Sequence, residues 1–129
     1  MNTKSKIAIA AVAGAAIGAA AMQGLHAQAK LKAYSVGEID PVGGAKVSAA
    51  YLDGVRKAIV SHHGHALRTV NGRVVKIEGA DAPQSVAIVE WDSLDDAVAF
   101  YKSNDWTDLA PERDKAQKTI RRYVVEVEP

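Results

Sequence analysis

The sequence predicts an α+β domain, on three observations. Short β-prone runs alternate with two amphipathic helical segments, an Asn-Gly pair separates two of those runs, and Val86 to Trp91 is nearly continuous apolar sequence. All of these lie beyond residue 29. The domain is therefore assigned to 30–129, and the length leaves room for one domain and not two.

The first 29 residues read as a secretory signal peptide. Lys4 and Lys6 make a short basic start, Ile7 to Met22 is an uncharged Ala-rich run, and Ala27-Gln28-Ala29 offers a small-x-small cleavage site ending at Ala29. Gly14 and Gly18 have the spacing of packed membrane helices, the mark of an uncleaved anchor. Against that, the run is shorter than the ~20 apolar residues that span a bilayer, and alanine contributes little transfer energy. No cysteine follows to carry a lipid and no twin arginine precedes. The expectation is a periplasmic or secreted protein without stable membrane insertion after leader cleavage.

Leu31 to Ile39 reads as the first strand, with Tyr34, Val36 and Ile39 as its larger apolar members. Asp40-Pro41 suits a helix start, and Gly43-Gly44 weakens it, so the helix is placed from Ala45. Val47, Tyr51, Val55, Ala58 and Ile59 share its inner face. His62, His63 and Gly64 end it, with glycine expected in the left-handed turn. Ala66 to Val70 and Arg73 to Ile77 flank Asn71-Gly72 and predict a β-hairpin.

Gly79 to Gln84 is a loop, and Ser85 to Trp91 a central strand buried on both faces. Ser93 with Asp96 forms a helix-capping pair, and Leu94, Ala97, Val98 and Tyr101 form the inner face of the second helix. Trp106 to Lys118 holds a further helical segment restarted at Pro111, and Arg122 to Val127 is the last strand. The order matches the split βαβ, or ferredoxin-like, βαββαβ plan, with an antiparallel sheet covered by helices on one face.

Removing the leader lowers Lys+Arg from 16 to 14 against 15 Asp+Glu, and the basic residues are scattered, so nucleic acid is not an expected partner. With no cysteine, thiol nucleophiles and redox pairs are excluded. There is no phosphate-cradling glycine loop, dinucleotide fingerprint or zinc-protease motif, and no cofactor or metal is assigned.

One pattern is more specific. Glu90-Trp91, Ser93, Ala97, Phe100-Tyr101, Ser103, Trp106, Leu109 and Arg113, at this spacing, resemble the small bacterial family catalogued as domain of unknown function 1330. The resemblance spans roughly residues 32 to 127 and implies a dimeric α+β barrel in which two sheets pack face to face. The two-sided hydrophobicity of Val86 to Trp91 points the same way, since a second subunit would cover the face the helices leave bare. A homodimer is expected. The family has no established activity.

Glu38 and Glu90 are the leading acid-base candidates. Placed near the carboxyl ends of adjacent parallel strands, they would share a pocket and raise one another's pKa, whereas at solvated strand ends they would pair with Arg113, Arg73 or a lysine. Glu90 also matches the family's acidic position.

His62, His63 and His65 form an H-H-x-H cluster of a type that binds metals, but its spacing puts no two on one helix face, and a solvated helix end is the alternative. The family motif there resembles His-Gly-Gly; His63-Gly64 match and His65 replaces the second glycine. His63 and His65 remain catalytic candidates beside Glu90.

Tyr101 and Trp106 would wall a pocket for a planar ligand, or serve as core. Ser103 reads as a cap or turn residue. Arg113 matches the family's basic position and either binds a ligand carboxylate or ties down its helix by an internal salt bridge.

Three functions follow from different classes. The first is binding of a small organic molecule between sheet and helices. The second, by analogy with other dimeric barrels, is a cofactor-independent or haem-linked monooxygenase or isomerase using Glu90 and a nearby histidine. The third is a structural or interaction module.

Overall fold

The computed structural model describes residues 30–70 and 73–129. The leader, its cleavage site and Asn71-Gly72 lie outside the described residues. Strand β1 (Lys32–Pro41) is followed by helix α1 (Ala49–Ser61) and strands β2 (Gly64–Ala66) and β3 (Ser85–Trp91). Helices α2 (Leu94–Lys102), α3 (Asn104–Thr107) and α4 (Ala110–Ala116) lead to strand β4 (Gln117–Val127). The strands form one four-stranded antiparallel sheet in the order β2-β3-β1-β4. This is the predicted α+β, ferredoxin-like arrangement.

Alternation along β1 decides what the sheet buries. Ala33, Ser35, Gly37 and Ile39 turn to the helices and are buried, while Tyr34, Val36 and Glu38 face the other way. Trp91 and Val89 of β3 join the buried side and pack with Ile59 of α1 and with Ala97 and Phe100 of α2. Trp91 and Phe100 are fully buried, their ring centroids 4.9 Å apart. A buried polar knot completes this core: Ser35 Oγ accepts from the indole Nε1–H of Trp91 at 2.9 Å and from the Tyr101 hydroxyl at 2.8 Å. The serine thereby satisfies two donors that burial would otherwise penalise.

The helix starts follow their caps. Ser93 Oγ accepts from the Asp96 N–H at 3.1 Å and donates to its carboxylate at 2.6 Å, as the capping pair predicts. Pro111 stands in the first turn of α4, where a missing N–H costs nothing.

Several boundaries differ from expectation. Strand β1 runs through Asp40-Pro41, which therefore start no helix; Asp40 instead accepts the Gln84 N–H at 2.9 Å. Helix α1 begins later, capped by Ser48, whose hydroxyl accepts the Tyr51 N–H at 3.0 Å. The expected hairpin is reduced to Gly64–Ala66, which pairs with Val89–Trp91, and a Leu67 N–H bond to the Ile88 carbonyl. Ala66–Val70 and Arg73–Ile77 form no ladder with each other, and Val70, Val75 and Ile77 stand exposed without an apolar cover. Strand β4 starts five residues early, at Gln117, and a shift between Glu38 and Ile39 accommodates Ile120. Val98 is turned outward from the core, which takes Phe100 instead.

The turn after α1 also reverses an expectation. His63, not Gly64, takes the left-handed conformation, with φ of 62°. Gly64 is required for space. A Cβ there would lie 2.7 Å from both Ile59 Cγ2 and the Trp91 ring. Gly64→Ala is therefore expected to destabilise the fold by about 1–3 kcal/mol through overpacking. A urea melt checks it: the midpoint should fall with the slope unchanged.

Candidate functional site

The sheet presents two different surfaces. On the helix side, Tyr101 at the end of α2 and Trp106 in α3 stand edge to face, ring centroids 5.2 Å apart at 87°. Phe100 fixes both from below, at 4.9 Å from Tyr101 and 5.4 Å from Trp106. Arg122 of β4 reaches over the same rings, its guanidinium 4.8 Å from Trp106 and 5.5 Å from Tyr101.

That reach depends on Gly37, the cross-strand partner of Arg122. A Cβ on Gly37 would meet the guanidinium at 2.5 Å, so the glycine gives the arginine its path across the sheet. Tyr101, Trp106 and Arg122, with Lys102, Val98, Tyr123 and Val124, line an open cleft of about 300 Å³.

Arg113 of α4 stacks on Trp106 at 4.1 Å and is buried, 9% exposed. Its Nε–H donates to Asp114 at 3.3 Å, but its Nη1 is buried with no hydrogen-bond partner. Tyr51 lies against it: burial pushes the Tyr51 hydroxyl pKa up, opposed by the charge of and a hydrogen bond with Arg113. The structure thus brings Tyr101, Trp106 and Arg113 together, as the sequence grouped them, and adds Arg122. The internal salt bridge expected of Arg113 reaches only its exposed neighbour Asp114.

A larger apolar hollow of about 480 Å³ lies by Ile39, Val47 and Leu52, with Lys46 as its charged group. Gln84, Ser85 and Gln117 also line it, but it holds no aromatic ring and no guanidinium, which the smaller cleft brings together.

On the other side no helix among the described residues covers the sheet. Cross-strand register lays out three rows: Glu90, Tyr34 and Val125; Ile88, Val36 and Tyr123; Val86, Glu38 and Arg121. The centre is apolar and both ends are charged. Glu38 accepts a hydrogen bond from Arg121 at 2.8 Å. Glu90 accepts from the Tyr34 hydroxyl at 2.8 Å and pairs with Lys32 at 3.2 Å, while Lys32 also meets Asp92 at 2.9 Å.

The proposed carboxylate pair is not formed. The strands holding Glu38 and Glu90 are antiparallel, with Glu38 opposite Val86 and Glu90 opposite Tyr34. Four residues of strand separate the rows, about 13 Å at ~3.3 Å per residue. The expected upward pKa shift is also reversed: the Tyr34 hydrogen bond, then Lys32, holds Glu90 below the ordinary carboxylate range.

The same contacts raise Tyr34, chiefly through its bond to Glu90, and Lys32, chiefly through Asp92. A lowered folded pKa gives Glu90 a stabilising contribution that is present above its unfolded pKa and lost as pH falls through the folded value. Glu90→Gln should therefore lower the urea midpoint at pH 7. That deficit should close in acid once native Glu90 is itself protonated. The Lys32 and Tyr34 contributions have the opposite sign and fade only in alkali, as pH rises through their raised values.

The histidines diverge. His62 Nε2 lies 3.0 Å from Asp105, with its ring edge-on to Phe100 at 5.6 Å. His63 Nδ1 lies 3.2 Å from Asp96, at the start of α2. His65 stands opposite Glu90 in the β2–β3 ladder, on the open side of the sheet. Among the described residues no three metal-ligating side chains gather. Ser103 closes the end of α2, its hydroxyl donating to the Phe100 carbonyl at 2.6 Å.

Sequence reading missed Ser35, Arg122 and Lys102. Gly37 inside an otherwise β-prone strand was the one available signal for Arg122, since such a glycine marks a close approach.

Comparison with known proteins agrees with this fold. The family described as domain of unknown function, DUF1330, matches residues 32–127. No curated protein matches. Among solved structures, one of a protein of unknown function from Rhodopseudomonas palustris is similar at 12% identity, over 78% of this chain and 83% of that one, with a TM-score of 0.54. Another, from Bacteroides fragilis, is described as a dimeric protein of unknown function with a ferredoxin-like fold. It is 10% identical over 75% of this chain and 95% of that one, with a TM-score of 0.41.

Proposed function

The chain belongs to the DUF1330 family, and on that premise we propose that it is an exported, homodimeric α+β barrel that binds a small organic molecule in the cleft between its sheet and its helices. The observation that carries the binding reading is the cleft beside Tyr101 and Trp106. Two aromatic rings are held rigid by the core, polar groups converge on them, and the hollow is at the lower end of ligand-pocket sizes.

The homodimer rests on the open side of the sheet. Val36, Ile88 and Tyr123 form its middle row, and Tyr123 and Val125 are 46% and 48% exposed. A second copy related by a two-fold axis covers apolar surface with apolar surface and leaves the Lys32–Glu90 and Glu38–Arg121 groups at the rim. Export rests on the leader sequence. The described residues contain no helix long and apolar enough to cross a membrane.

Acid-base chemistry by Glu90 with a histidine has less support. His65 does stand opposite Glu90, but Glu90 is committed to Tyr34 and Lys32, His63 lies with Asp96 at the helix start, and neither Glu90 nor His65 lines the cleft. Native mass spectrometry of the chain recovered from the periplasm of an expressing bacterium tests the proposal. The expected species is a dimer lacking residues 1–29 that gains mass from small organic molecules. A monomer recovered from the cytoplasm without such adducts would overturn it.

A further inference from the structure

The cleft carries more positive charge than its surroundings answer. Arg122 forms no ion pair among the described residues, although its guanidinium is held over two aromatic rings and a glycine. Lys102 stands beside it in the lining. Arg113, outside the cleft lining, stacks on the same indole; it is buried, bonds Asp114 through Nε and meets Tyr51, and its Nη1 is left unpartnered. A buried guanidinium donor without an acceptor is costly, and the nearby carboxylate of Asp114 is met through Nε and is 65% exposed. Two guanidinium groups converge on one tryptophan, one of them with a buried donor that has no acceptor, and the cleft itself is lined by two cations, Arg122 and Lys102, and by no carboxylate.

The aromatic walls add shape. Tyr101 and Trp106 meet at right angles, so a flat ligand stacked on one ring presents its edge to the other. Guanidinium planes matched to this geometry bind a carboxylate through two parallel N–H donors.

We propose that the cleft takes a small planar organic carboxylate, its charge held by Arg122 with Arg113 behind it and its flat body packed against Tyr101 and Trp106. This rests on the small-molecule reading above and narrows it to one chemical class. Arg122 is the specificity-determining residue, since it lies in the cleft and owes its position to Gly37.

The test is calorimetric titration of the full chain with three aromatic carboxylates, benzoate, phenylacetate and cinnamate, each paired with its neutral amide. At least one carboxylate should bind, about tenfold or more tighter than its amide, and added salt should weaken the carboxylate and spare the amide. Arg122→Met should abolish that preference. The salt response of the native chain keeps the test decisive if the variant folds poorly. Amides binding as tightly as carboxylates would overturn the anion assignment and leave the cleft as a neutral-ligand site. No binding by any of the six would overturn both readings.

Discussion

Trp91→Ala is expected to remove about 3–5 kcal/mol of stability, a large share of the roughly 5–15 kcal/mol that holds a domain of this size together. Trp91 is fully buried, packs on Phe100 and Tyr101, and closes over Gly64 at a distance that excludes even a methyl group. Its loss opens a cavity among Ile59, Val89 and Phe100 and strips Ser35 of one donor.

The effect should reach the cleft. Tyr101 is anchored by the same serine, so a loosened Ser35 frees one aromatic wall. Ser35→Ala separates the two consequences. It keeps the packing but leaves the buried Trp91 N–H without its acceptor, at about 1–3 kcal/mol, while the part-buried Tyr101 hydroxyl turns to water. Urea melts of both variants, with tyrosine hydroxyl exchange followed by NMR, check the order: Trp91→Ala below Ser35→Ala, and both below the native chain.

If the chain pairs through its open sheet as proposed, Val36→Lys and Ile88→Lys should each make it a monomer. Both positions lie in the middle row of the open sheet, paired with one another across β1 and β3. A lysine there leaves the monomer fold intact, because the side chain points away from the helices. In a two-fold dimer it buries an unpaired charge twice, at about 3–5 kcal/mol for each, enough to weaken association by more than about a hundredfold. Val60→Lys, at a 69% exposed position of α1, is the control that should leave assembly unchanged. Sedimentation at micromolar concentration reads all three. A native chain that sediments as a monomer, or a Val36→Lys variant that remains dimeric, would contradict the face-to-face barrel.

What the sequence made legible follows from how local each signal is. Ser85 to Trp91 has the bounds read from its apolar run, and the Ser93 cap is a short-range pattern that needs no tertiary knowledge. The α1 start was missed because Asp40-Pro41 looks like a cap in isolation, while pairing with β4 holds it in strand. Gly64 was recognised by type and misread by cause: the left-handed turn falls on His63, and the glycine answers the bulk of Trp91, a residue far along the chain.

The Glu38–Glu90 pair failed on strand direction. In this plan the neighbour of the first strand runs against it, so two strand ends that look equivalent in sequence lie in different rows. The Tyr101, Trp106 and Arg113 grouping emerged because all three belong to one family pattern, although they fall on three successive helices. Arg122 did not, because only cross-strand register sets it opposite Gly37.

The chain has two tryptophans, one buried in the core and one at the cleft, and that division gives the most direct measurement of where a ligand sits. Indole N–H resonances of the ¹⁵N-labelled full chain should be followed while a panel of small organic acids and neutral molecules is added. The account predicts a saturable shift of the Trp106 resonance with at least one acid while Trp91 holds its position. A Trp106 resonance that no compound moves, or amide shifts confined to Val36 and Ile88 on the open face, would contradict binding in the cleft.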